Sequence, residues 1–203
     1  MESQLLLAAC YLPPISYFHA IQAHNLPLVI EKYEHFQKQS YRTRARIASA
    51  NGVQDLIIPI QHGNKDRVSM KDIRISYEFD WQRLHWLSIQ TAYRSSAYFE
   101  YYEDDFSRFY HEKFDYLLDF NVAQLELILK LIKLRRTLSF TGEYRINDSD
   151  IVDYREVIHP KKESLLFAPK EYYQVFLEKN GFYPDLSIID LLFNQGPQSK
   201  SYL

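Results

Sequence analysis

Leu5-Leu6-Leu7-Ala8-Ala9-Cys10-Tyr11-Leu12, closed by Pro13-Pro14, is a continuous apolar run of strand length. A strand with one wet face alternates apolar and polar residues, whereas a strand covered on both faces does not, so this run predicts an interior strand. The two prolines end the strand and suit the first turn of a helix. A helix is expected over 15–24, with Ile15 and Phe18 on one side and Gln22 in line with them. A second apolar run follows at 28–31. Strand, helix and strand at this spacing predict a βαβ unit, whose crossover sets the loop after the first strand beside the end of the second. Ligands of open α/β sheets bind at such carboxyl ends, which makes Tyr11, Tyr17 and Glu31 candidate site residues.

Working outward, the stretch 31–47 is basic and aromatic. Lys38, Arg42, Arg44 and Arg46 fall close together, with Gln37, Gln39, Ser40 and Tyr41 between them. Guanidinium offers a planar fork of donors and ammonium a point charge, a mixture suited to phosphate or carboxylate. Residues 41–49 read as a strand, Asn51-Gly52 as a type I′ turn and 53–60 as the returning strand. In such a hairpin Arg42, Arg44 and Arg46 would share one face. Two readings stand side by side: an anion site, or an edge face guarded by charge whose arginines make structural ion pairs.

The polar segment 61–69 could close as a lid, and 71–75 could form a short strand. A helix capped by Asp80 is expected over 81–93, with Trp81, Leu84 or His85, and Ser88 on one face. His85 between tryptophans is either a core histidine bonded to backbone or a general base. A further helix over 97–110 carries many aromatics with Glu100, Glu103, Asp104 and Asp105. Those carboxylates sit at helical angles that do not converge on a metal, and acids early in a helix are favoured by its dipole. No metal site is expected, and no cofactor is named. The clearest amphipathic helix spans 114–135, with Val122, Leu125, Ile128, Leu129 and Ile132 inward and a basic end that complements the dipole. Short strands are expected at 138–140 and 151–154, either side of a turn at Asn147-Asp148-Ser149. A helix at 172–179, a final one capped by Ser187 and stopped by Gly196-Pro197, and a fraying tail complete the chain.

The fold class expected is α/β or α+β: an N-terminal βαβ unit plus a β-hairpin in a mixed sheet, then a mainly helical C-terminal half. At 203 residues, a single domain over 1–203 is expected, with a βαβ and hairpin portion at 1–76, a helical portion at 77–197 packed on it, and a tail at 198–203. The net charge of −2 argues against a nucleic-acid partner. Cys10 is the only cysteine, which fits a reducing cytoplasm. Leu7-Ala8-Ala9-Cys10 has the shape of a lipoprotein processing site, but Glu2 stands where a positive leader is needed, and the run suits a buried strand better. No apolar run reaches membrane-spanning length, so no membrane insertion is expected.

Four blocks in order, Tyr11-Leu12-Pro13 with Tyr17-Phe18, Lys38 to Arg44, Trp81 to Trp86, and Leu186 to Asn194 with Gly196-Pro197, resemble the bacterial WbqC-like protein family over nearly the whole chain. The resemblance implies a cytoplasmic protein tied to surface-polysaccharide or O-antigen gene clusters and acting as a transferase in sugar modification. Lys38, Ser40, Arg42, Arg44 and Tyr17 stand where the family motif has them. Lys32-Tyr33 replaces the family's Asp-Asp pair, so Glu31 or Glu34 would have to take that pair's role. The expected partner is an anionic small molecule or sugar nucleotide, with Glu31 or His85 as base and Tyr11, Tyr17, Lys38, Ser40, Arg42 and Arg44 binding. The alternative is a non-catalytic assembly protein, docking a biosynthesis-complex partner or a second copy through its aromatic helices.

Overall fold

The computed structural model describes residues 3–61, 67–144, 150–162 and 168–203. The lid expected over 61–69 falls largely, and the turn at Asn147-Asp148-Ser149 wholly, outside the described residues. Among the described residues the centre is a parallel sheet of β1 (Gln4–Ala8), β2 (Leu28–Glu31), β5 (Leu138–Phe140) and β6 (Ile151–Asp153), in the order β5-β2-β1-β6. The βαβ unit is present: β1 passes through α1 (Ile15–Ala23) to β2, with Leu5 opposite Leu28 and Ala8 opposite Glu31. β6 pairs with β1 on its other side, and β5 pairs with β2. Strand order therefore reverses at β1.

β1 is shorter than its apolar run. After Ala8 the chain leaves the ladder, Tyr11 donates its backbone N–H to the Tyr41 carbonyl, and Leu12 takes a φ of 37°. Residues 9–12 remain buried, so their apolar character serves the core and not a longer strand. Leu5, Leu7, Leu28 and Ile30 pack into the same core as the helices.

The hairpin, β3 (Arg44–Ser49) and β4 (Gly52–Ile57), stands as a separate two-stranded sheet. Its turn differs from the one expected. Ser49 faces Gly52, so the loop residues are Ala50 and Asn51, and only Gly52, at φ 107°, has positive φ in that turn. A type I′ turn needs positive φ at both central residues. Here the glycine instead follows the turn, as in a hairpin closed by a glycine bulge.

Three longer helices, α2 (Trp81–Tyr93), α3 (Phe99–His111) and α4 (Leu117–Leu131), are followed by the short α5 (Leu177–Asn180) and by α6 (Ile188–Gln195). Residues 71–75 form a 3₁₀ turn and isolated bridges in place of the expected strand. The expected helix at 172–179 is reduced to α5. Phe193 joins the helices: Tyr93, Phe99 and Phe106 each meet its ring edge-on at 5.2–5.3 Å between centroids. The high aromatic content is thus used largely for packing. The tail expected to fray is a 3₁₀ helix, Gly196–Tyr202, with Ser199 buried. Gly196 has φ 52°, and a Cβ there would lie 2.5 Å from the Tyr98 ring, so both backbone and space demand glycine.

Asp190 in the first turn of α6 is fully buried. Its Oδ2 accepts hydrogen bonds from Tyr172 Oη at 2.6 Å and Gln174 Nε2 at 2.9 Å, both uncharged donors. Burial raises its carboxyl pKa to about 6. The folded state therefore takes up this proton more readily than the unfolded chain, and the group's contribution to stability grows as pH falls from about 6 towards 3.8. Asp190→Asn is expected to gain on the order of 2–3 kcal/mol at neutral pH. Denaturant melts at several pH values check this: the gain should shrink towards zero below the carboxyl's ordinary range.

Candidate functional site at the carboxyl ends of the parallel strands

β2 ends on a carboxylate that sees no solvent. Glu31 is wholly buried, and its charge is met on both oxygens. Oε2 accepts from Arg155 Nη1 at 2.9 Å; Oε1 accepts from the Tyr33 N–H at 2.7 Å and from Thr141 Oγ1 at 2.9 Å. Arg155 follows β6 and so reaches past the end of β1 to arrive there. Asp153 holds the same guanidinium, accepting from Nη2 at 2.6 Å and from Nε at about 3 Å. Burial alone would raise the Asp153 carboxyl, but the bonds from Arg155 outweigh it and leave its pKa lowered. Burial works to lower the Arg155 pKa, and Asp153 raises it on balance.

A second charged pair lies beside the first. Arg42 is 1% exposed and meets Glu34 with two parallel bonds of 2.6 Å, from Nε and Nη2. Its remaining Nη1 donates to Gln37 Oε1 at 3.2 Å. Burial pushes the Glu34 carboxyl up despite Arg42, while burial of Arg42 is outweighed by the bonds to Glu34, which raise its pKa. A guanidinium does not surrender its proton in this range, so the pair is carried as a salt bridge.

The loops that hold these groups are tied to one another. Asn121 on α4 donates from Nδ2 to the Ala9 carbonyl at 3.0 Å and the Arg42 carbonyl at 2.8 Å, joining the exit of β1 to the segment before β3. Tyr17 Oη donates to the Ala8 carbonyl at 2.9 Å, and Ser40 Oγ to the Gln37 carbonyl at 2.7 Å. Outside this layer Lys38 is exposed, Lys161 Nζ donates to Gln39 Oε1 at 2.8 Å, and Gln37 Nε2 donates to Glu156. Lys38 and Lys161 thus lie, with Glu156, outside an inner layer of paired charges.

Glu31, Tyr17, Ser40 and Arg42 are therefore brought to one end of the sheet, with Lys38 at its edge; Tyr11 also follows β1, but its ring packs beside Phe120 and its hydroxyl turns to His85 and Tyr110. Arg44 is not among them. β3 starts only at Arg44, because residues 38–43 turn tightly and Gln39 has φ 57°. The expected face of three arginines does not form: Arg42 turns inward, while Arg44 and Arg46 reach Asp55 on β4 at 3.0 and 3.5 Å. His85 lies on α2 among aromatic rings, 5.1 Å from Trp81 and 5.7 Å from Tyr11 between centroids. Its Nδ1 is 3.0 Å from Tyr11 Oη, which also meets Tyr110 Oη at 2.9 Å. Burial lowers the His85 pKa to about 4, with a bond to the Ile57 backbone acting against it. Its surroundings are those of a neutral core histidine.

Sequence reasoning did not single out Asp153, Arg155, Thr141 or Asn121. The available signal was an acid and an arginine two residues apart, directly after the apolar pair Ile151-Val152. Among the described residues, no group of three or more histidine, cysteine, aspartate or glutamate side chains is placed to hold a metal ion. No helix among them is long and apolar enough to cross a membrane.

Fold and site together define an α/β protein that buries paired charges where its parallel strand order reverses. The sequence profile of the WbqC-like protein family matches residues 9–162, and the chain belongs to that family. It is also similar, at 22% identity over 231 aligned positions covering 100% of this chain and 98% of the other, to the uncharacterized protein Rv1507c of Mycobacterium tuberculosis (strain ATCC 25618 / H37Rv). No solved structure matches it.

Removing one partner of a buried pair strands the other charge, so Glu34→Gln and Arg42→Ala should each cost about 3–5 kcal/mol. Arg44→Ala, losing a partly exposed pair, should cost about 0–1 kcal/mol. Equal losses for Arg42 and Arg44 in urea melts would contradict this arrangement. His85 must become charged in acid, so its contribution is present above its ordinary pKa and is lost as pH falls through about 4. His85→Gln should flatten the acid limb of the stability profile measured in the Asp190→Asn background.

Proposed function

We propose that this WbqC-like protein is a group transferase for bacterial surface-polysaccharide, O-antigen-type, sugar modification, and that it takes an anionic, nucleotide-linked sugar at the carboxyl ends of β1, β2 and β6. The observation that carries this reading is the Glu31–Arg155–Asp153 cluster at the reversal of strand order, the place where open α/β sheets receive ligands. Transfer from an activated phosphate needs fixed positive charge where negative charge develops. Lys38 on the rim is the first contact for the anion, and Arg155 the inner one. A phosphate drawn to Arg155 competes with Glu31 for the guanidinium. Glu31 Oε2 is then released as a base beside the bound substrate. Arg42 acts as a positioning residue, because every arm of its fork is already engaged.

The second reading, a non-catalytic binding or assembly protein, draws support from the same full occupancy, since both oxygens of Glu31 are held. It loses the aromatic face of α3 as a dock, because Phe99, Tyr102, Phe106, Phe109 and Tyr110 are all buried and Tyr101 alone of these ring positions is strongly exposed.

Thermal melts with a panel of nucleoside diphosphate sugars test the proposal. Ligand at about 100 times its dissociation constant adds about 2.7 kcal/mol, or roughly 5–10 °C in a chain of this size. The shift should vanish in Arg155→Lys and shrink in Lys38→Ala, with both variants folded. A wild type that no member shifts, together with a stoichiometric partner retained from a cell extract, favours assembly.

A further inference from the structure

α4 ends in a backbone motif that normally asks for glycine. Leu134 N–H bonds the Leu129 carbonyl at 2.9 Å and Lys133 N–H the Lys130 carbonyl at 3.2 Å, the pair of bonds that closes a helix through a left-handed residue. The left-handed residue is Lys133, at φ 58°. A side chain in that conformation is strained relative to glycine. Lys133 lines a groove of about 640 Å³ together with Lys130 and Arg135, with Glu126, Leu134 and Thr137 among its walls. Among the described residues, none of the side chains of Lys130, Lys133 and Arg135 makes an ion pair or hydrogen bond.

The groove continues past Arg135 and Thr137 into a second hollow of about 500 Å³, bordered by Asn25 and Leu28. Arg136 fixes that wall by donating to Asn25 Oδ1 and to the Ile21 and His24 carbonyls, so it caps α1 and leaves the other three cations unengaged. Leu28 and Leu138 begin β2 and β5. The groove therefore lies at the amino ends of the sheet, away from Glu31 and Arg155 at the carboxyl ends. Dipole complementation explains a cation near the end of α4, but one is enough, and a glycine at 133 would relieve the backbone.

We infer that this groove is a second anion site, for a ligand presenting more than one phosphate: a di- or triphosphate group, or the array of phosphates on an anionic lipid surface. Three unpaired cations along one channel, against the single carboxylate of Glu126, match several phosphates better than a single monoanion.

Calorimetric titration of the full chain with inorganic tripolyphosphate tests the inference, alongside flotation with vesicles of phosphatidylcholine alone or mixed with phosphatidylglycerol. Lys130→Gln with Arg135→Gln should weaken binding about tenfold or more. Lys133→Gly should also weaken it while raising Tm by about 2–4 °C, a split that a purely structural lysine would not give. Lys38→Gln with Lys161→Gln, at the other end of the sheet, should leave this binding in place. Tripolyphosphate binding without flotation assigns a soluble phosphate, and flotation confined to the mixed vesicles assigns a lipid headgroup. The inference is overturned if neither probe binds, or if binding ignores the changes at 130, 133 and 135 and follows those at 38 and 161.

Discussion

Everything at the carboxyl end of the sheet depends on keeping four carboxylates and guanidiniums out of water. Glu31, Glu34, Arg42 and Arg155 are all buried, and removing such ions from solvent costs several kcal/mol apiece unless partners and geometry compensate. The compensation is close to complete: Arg42 uses its whole fork, and Glu31 uses both oxygens. A constraint of this kind holds the surrounding loops in one arrangement, since a small displacement would leave a charge unmatched. That is why Asn121, Tyr17 and Ser40, though neutral, all bond to backbone around the cluster.

The cluster is in turn assembled by the course of the chain. β5 and β6 come from the C-terminal half and return to flank the N-terminal βαβ unit, so the cation of Arg155 reaches a carboxylate 124 positions earlier. The helices between them pack through aromatic edges on Phe193 and through the buried rings of α3. Two further groups, His85 and Asp190, are buried without an opposite charge, and burial moves their pKa values in opposite directions. Their acid-range effects on stability therefore oppose each other.

Much of this was legible in sequence. Unbroken apolar runs marked β1 and β2, Pro13-Pro14 marked the entry to α1, a glycine marked the hairpin, and the periodicity of Leu125, Ile128, Leu129 and Ile132 marked α4. The concentration of Lys38, Ser40 and Arg42 beside Glu31 pointed to the carboxyl end of the sheet, where the buried charges are found. The exact turn at Gly52 and the start of β3 were not legible, because a shift of one residue there leaves composition unchanged while reversing which side chains face inward.

The sequence by itself determined the βαβ frame, the presence of a hairpin and helices, and the charged stretch that would sit at the strand ends. Only the tertiary structure decided that Arg42 is the counter-ion of Glu34, that Arg44 belongs with Asp55, and that Arg155 bridges Asp153 and Glu31. The physical reason is that a strand of three residues has too few positions to carry a period. Whether an arginine awaits a ligand or already holds a carboxylate depends on which distant segment the crossovers bring beside it.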